Sequence, residues 1–228
     1  MMRCAIVTGA SRGLGLALTR QLSADGWKVI VDARHGDDLA AATAELPGVE
    51  AVPGDVADPL HWADLIEAVR AVGRLDLLVN NASTLGPTPL PALAEVDLDE
   101  LARVFDVNVV GPLGLIQAAL PLLTESHGVV VNVTSDAAVE GYPGWGAYGA
   151  SKAALEQLSR VLAAEEPRIS VYWVDPGDMR TRMHQDAVGD EDISHLPSPE
   201  HSVPGMIRLI EERPPSGRYQ VQGLESPV

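Results

Sequence analysis

Short apolar runs alternate along this chain with segments whose apolar positions recur every three or four residues. The runs at 3–8 and 28–34 are rich in Val and Ile and predict buried strands. Residues 49–56 give a weaker third, 75–80 and 129–134 a clear fourth and fifth, 169–174 a sixth and 218–221 a seventh. Between them, Leu14, Ala17, Leu18, Gln21 and Leu22 fall on one helical face with only Gln21 polar, and Trp62, Leu65, Ile66 and Val69 form a second stripe. Residues 97–123 predict a long helical region that Gly111-Pro112 should kink or split, and 148–165 a helix stopped before Pro167. Nearly continuous hydrophobic strands alternating with helices predict an α/β fold. It is expected to be a single domain over residues 1–228, a Rossmann-type doubly wound parallel sheet of about seven strands with helices on both faces. Such sheets bind ligands at the carboxyl ends of their strands, where the strand order reverses. The segment 184–204 is polar, Pro-rich and acidic; it is expected to be a mobile flap on the substrate side, followed by a short helix over 203–212.

Composition narrows the partners. The net charge of −16 opposes binding to nucleic acid or to anionic membranes and otherwise favours solubility. No apolar stretch of about 18 residues is evident, so no membrane span is expected. The apolar N-terminal run is too short for a secretory signal and leads straight into a Gly-rich turn. The lone cysteine, Cys4, fits a reducing compartment, and a cytoplasmic location is expected. Cysteine and histidine spacing suggests no metal site. Lysine is nearly absent, with only Lys28 and Lys152 in the chain.

The candidate chemistry begins at Thr8-Gly9-Ala10-Ser11-Arg12-Gly13-Leu14-Gly15, between the first strand and the first helix. Glycines let a pyrophosphate approach the backbone, and the helix N-terminus faces it with free N–H groups and a positive dipole end. The spacing of these glycines resembles the short-chain dehydrogenase/reductase family, and the resemblance continues in order over residues 3–183. Asp55-Val56 follows the third strand, Asn80-Asn81-Ala82-Ser83 ends the fourth with Ser83 in place of the usual glycine, and Asn108 lies in the long helix. Ser135 ends the fifth strand, Tyr148 and Lys152 form the Tyr-x-x-x-Lys pair, and Pro176-Gly177 with Thr181 follows the sixth.

The resemblance implies an oxidoreductase that passes hydride between a nicotinamide cofactor and a small carbonyl or alcohol. It implies cofactor contacts at Gly9, Ser11, Arg12, Gly13, Leu14, Gly15, Asp55 and Val56, then at Asn81, Ala82 and Ser83. Tyr148, Lys152, Pro176, Gly177 and Thr181 complete that set. Tyr148 is expected to be the acid/base. A phenol ionises near pH 10, and a cation within about 4–6 Å lowers that value, so Lys152 should activate it. Ser135 should polarise the substrate oxygen. Asn108, by resemblance, links Lys152 to water through a proton relay. Ala33 stands where the resemblance implies an NAD-selecting acid and Arg34 where it implies an NADP-selecting base. With Arg12 this implies NADP(H) over NAD(H). Asp32 is discounted because neighbouring strand residues face opposite ways. Tyr142 and Trp145 suggest a pocket wall, and the acidic flap suggests that anionic substrates are disfavoured. Family members pair the two long helices, which implies a homodimer or homotetramer. The main alternative is a non-catalytic NADP(H)-binding sensor or scaffold on the same fold.

Overall fold

The computed structural model describes residues 2–222. Seven strands form one all-parallel sheet: β1 (Cys4–Val7), β2 (Lys28–Val31), β3 (Val49–Ala51), β4 (Leu77–Asn80), β5 (Val129–Val133), β6 (Ser170–Asp175) and β7 (Gly217–Gln220). Their spatial order is β3-β2-β1-β4-β5-β6-β7, so the chain winds outward from β1 in one direction and then from β4 in the other. The reversal between β1 and β4 opens a crevice at the carboxyl ends of both strands.

Strand residues alternate between two cores. Ala5, Val7, Val29 and Val31 pack with Leu14, Leu18 and Leu22 of α1 (Gly13–Ala24) and Met206 and Leu209 of α8 (Val203–Glu212). Ile6, Ile30, Leu78 and Val130 face the other way. They meet Leu65 and Val69 of α3 (Pro59–Val72) and Leu115 and Leu123 of α5 (Gly111–Ser126). Two more helices complete the set: α2 (Gly36–Thr43), which periodicity does not announce, and α7 (Arg182–Val188).

The long helix does not break at Gly111-Pro112. α4 (Leu98–Phe105) runs into a single wide π turn at Asp106–Val110, which continues as α5. The Gly111 N–H bonds to the Asp106 carbonyl, five residues back, and Pro112 falls in the first turn after the widening, where its missing N–H is tolerated. The turn presses against the loop after β3: a Cβ on Gly111 would lie 2.5 Å from the Val56 carbonyl oxygen. This helix, Leu98–Ser126, is also long and apolar enough to cross a membrane by length and composition, contrary to the sequence reading; half of its most apolar window is buried inside the fold.

The expected flap, 184–204, begins inside α7 and ends in the first turn of α8. Two of its carboxylates are held locally, Asp186 by Arg182 and Asp192 by Ser194, and Ile193 is buried. Ser202 donates to the Pro176 carbonyl at 2.7 Å, fastening the end of this segment to the loop after β6.

Candidate active site

A cavity of about 980 Å³ runs along the carboxyl ends of the strands. At one end lies the turn between β1 and α1. Gly9 and Gly13 have φ of +68° and +57°, the left-handed region that glycine adopts without strain. Gly15 allows a close approach instead, since a Cβ there would lie 2.5 Å from both the Gly9 carbonyl oxygen and Asn81 Nδ2. Arg12 precedes α1 and provides no side-chain cap, so the first amides of the helix depend on another partner. A bound pyrophosphate suits those amides. Asn81 fixes the turn from β4, its Nδ2 donating to the Thr8 and Gly9 carbonyls at 2.7 and 3.2 Å.

Asp32 is fully buried beneath this turn. One carboxylate oxygen accepts from the Gly9 N–H at 2.7 Å, and the other lies 3.1 Å from His61 Nε2 on α3. Burial raises its pKa despite those two partners. The carboxylate is therefore spent on the turn itself, while the next two residues, Ala33 and Arg34, line the cavity with Arg34 exposed.

The catalytic candidates meet at the far end. Tyr148 and Lys152, one turn apart on α6 (Gly146–Glu165), are both buried, with Lys152 Nζ 5.5 Å from the centre of the Tyr148 ring. Lys152 donates to the Val133 carbonyl at 2.8 Å. Burial lowers the Lys152 pKa to about 7. The expected lowering at Tyr148 is reversed: desolvation dominates and raises its pKa well above the usual phenol value, with hydrogen bonds to Ser135 and Ser83 opposing it. The protein alone leaves both groups in a dry environment that favours their neutral forms.

The Asn108 side chain is fully engaged with its neighbours. Its Oδ1 accepts from Ser83 Oγ and the Thr84 N–H, and its Nδ2 donates to the Thr84 carbonyl and Ser151 Oγ, all at 2.9–3.0 Å. These four bonds engage the whole amide, so the side chain ties the loop after β4 to α6. Ser83 in place of glycine is accommodated, because its φ is not positive.

Every predicted site residue lines the cavity except Gly15 and Asn108, which shape it from behind. Three contributors were missed. Arg20 of α1 lines the cavity. Asp136 follows Ser135 and accepts its hydroxyl at 2.8 Å. Arg218 on β7 donates to Glu156 at 2.9 Å and to Asp175 and the Ser135 carbonyl at 3.1 Å. Asp175 in turn accepts the Gly177 N–H, so one guanidinium braces both the Ser135 strand end and the turn after β6.

Comparison with known proteins agrees with this geometry. The family described as short chain dehydrogenase matches residues 3–192. The chain belongs to the short chain dehydrogenase family. L-xylulose reductase of Bos taurus is 33% identical over 95% of this chain and 83% of its own length. Sepiapterin reductase of Rattus norvegicus is 36% identical over 79% of this chain and 75% of its own. A short chain dehydrogenase from Escherichia coli CFT073, crystallised with NADPH, superposes with a TM-score of 0.89 at 31% identity, covering 96% of each chain. This short chain dehydrogenase is accordingly an oxidoreductase of the CH–OH/C=O type. It uses a nicotinamide cofactor and acts on small-molecule substrates.

Proposed function

We propose that the protein is an NADPH-dependent reductase of small carbonyl compounds, with Tyr148 as the acid. The observation that carries this reading is the convergence of Tyr148, Ser135 and Lys152 at one end of a cavity whose other end is the glycine turn flanked by Arg12 and Arg34. The turn and the amides of α1 would hold the pyrophosphate, and Lys152 the nicotinamide ribose. When bound, the cofactor supplies the hydride. The carbonyl carbon receives it, the π electrons pass to oxygen, and Tyr148 delivers the proton that completes the alcohol. Ser135 hydrogen-bonds the oxygen as charge develops on it.

Preference for NADPH rests on the adenosine side. No carboxylate at the end of β2 is free for a ribose 2′-hydroxyl, since Asp32 is buried against Gly9 and His61, whereas Arg34 is exposed to the cavity. Retention of the tyrosine, serine and lysine argues against a cofactor sensor without catalysis.

One assay tests the reading: nicotinamide absorbance is followed with a panel of ketones, aldehydes and diketones for wild type, Tyr148→Phe and Arg34→Ala. Tyr148→Phe should keep cofactor affinity and lose about 10²–10⁴-fold in turnover. Arg34→Ala should weaken NADPH by roughly tenfold to a hundredfold and leave NADH nearly unchanged. Full turnover in the first variant, or equal losses for both cofactors in the second, would falsify the corresponding assignment.

A further inference from the structure

The catalytic end of the cavity contains a carboxylate that the reaction itself does not require. Asp136 directly follows Ser135, is half-buried and lines the cavity together with Trp145, Tyr148 and Met183. All of its partners are neutral. Its Oδ1 accepts from Ser135 Oγ at 2.8 Å and from the Ala137 N–H at 2.8 Å, and its Oδ2 accepts from the Tyr142 hydroxyl at 3.0 Å. Among the described residues, no Lys, Arg or His forms an ion pair with it. Arg218, which reaches the Ser135 carbonyl, is committed to Glu156 and Asp175. The cavity takes Arg12, Arg20 and Arg34 from the glycine-turn side and Arg180 and Arg182 from the segment after β6, yet among the described residues none of these is an ion-pair partner of Asp136, the carboxylate that directly follows Ser135.

This arrangement places a condition on the substrate. The Ser135 proton points at Asp136, yet it is needed at the substrate oxygen. A plain ketone must take that proton away and leave Asp136 short of a donor, which is costly for a partly buried charge. A ketone with a hydroxyl on the adjacent carbon can give its own proton to Asp136 and release Ser135 to turn toward the carbonyl. A substrate carboxylate in the same place meets a like charge in a low-dielectric site. We propose that Asp136 is a specificity-determining residue that selects carbonyl substrates bearing a hydroxyl next to the C=O and excludes 2-oxo acids. The inference rests on the reductase reading above and narrows its substrate class.

The test measures kcat/KM for NADPH oxidation with two matched pairs, in wild type and Asp136→Asn. The first pair is 3-hydroxybutan-2-one against 3-methylbutan-2-one, in which a methyl replaces the hydroxyl. The second is methyl 2-oxopropanoate against 2-oxopropanoate, which differ by one charge. Wild type should favour the hydroxy-ketone by about tenfold to a hundredfold, the usual worth of a hydrogen bond to a charged group, and the ester by a similar factor. Asp136→Asn should bring the ester-to-acid ratio near one and cut the hydroxyl preference about tenfold. An NADPH titration of the variant establishes that it is folded. Flat ratios in wild type, or wild-type ratios in Asp136→Asn, overturn the role of Asp136 while the reductase reading stands. No turnover of any of the four compounds by cofactor-bound wild type overturns both.

Discussion

Lys152 enters the cavity almost without water around it, and its ammonium is correspondingly weakened. In the unfolded chain it keeps its proton up to about pH 10.5, whereas in the folded, cofactor-free protein it releases it near pH 7. The unfolded state therefore binds more protons above pH 7, and stability must rise with pH through that interval. Cys4, held at about 12 by burial, acts in the opposite direction, but only as an unfolded thiol ionises around its ordinary value of 9, appreciably above about pH 8. Between about pH 7 and 8 the lysine contribution outweighs that of the thiol. Urea unfolding of the cofactor-free enzyme should give a stability that increases across this range, and Lys152→Met should flatten that slope. An unchanged slope in the variant would show that Lys152 stays protonated in the empty site. This behaviour was not legible in the sequence, where the spacing of Tyr148 and Lys152 conveyed their adjacency but not the dryness that dominates both. Asn108 was likewise visible as a site residue, but its partners Ser83, Thr84 and Ser151 depend on how the loop after β4 docks on α6.

At the level of elements, the strands were the most readable feature, because buried parallel strands need Val and Ile on both faces. α2 escaped notice: only Leu39 and Thr43 of its eight residues are buried, so it shows little apolar periodicity. The π turn left only an indirect trace in Gly111-Pro112, which also fits an ordinary kink. β7 was expected, but the reach of Arg218 from it was not, since Glu156 and Ser135 lie 62 and 83 residues away in sequence. That reach makes β7 a structural clamp. Glu156 and Asp175 are almost wholly buried, and Arg218 is the cation shared between them. Arg218→Met should leave both carboxylates short of charge and cost about 3–5 kcal/mol. For a chain of this size that lowers Tm by roughly 10 °C, which calorimetry would detect. A shift of a degree or less would mean that Arg160, which also contacts Glu156, suffices.

For the whole molecule, part of the apolar surface left uncovered lies on the long helices. Leu98 on α4 is 76% exposed, Val110 in the π turn 48% and Val161 on α6 41%, all on the long helices flanking one face of the sheet. Ala153, Ala154 and Leu158 of α6 are only half-buried. A helix pair with this much apolar surface gains by covering it with a second copy through two-fold symmetry. We expect a homodimer or homotetramer at micromolar concentration, one that becomes tighter with added salt as the repulsion between chains of net charge −16 is screened. Light scattering at low and moderate ionic strength decides it, and a monomer under both conditions refutes the expectation.

The clamp made by Arg218 also has a consequence for biosynthesis. The phosphate turn has all its braces once Asp32 and Asn81 have been made, but the Ser135 strand end and the turn after β6 are braced only when residue 218 arrives. A chain growing on the ribosome can thus assemble most of its cofactor cradle long before its catalytic end is locked. Until the last strand has left the exit tunnel and docked, the nascent protein is equipped to hold a nucleotide without being fully set to react with it.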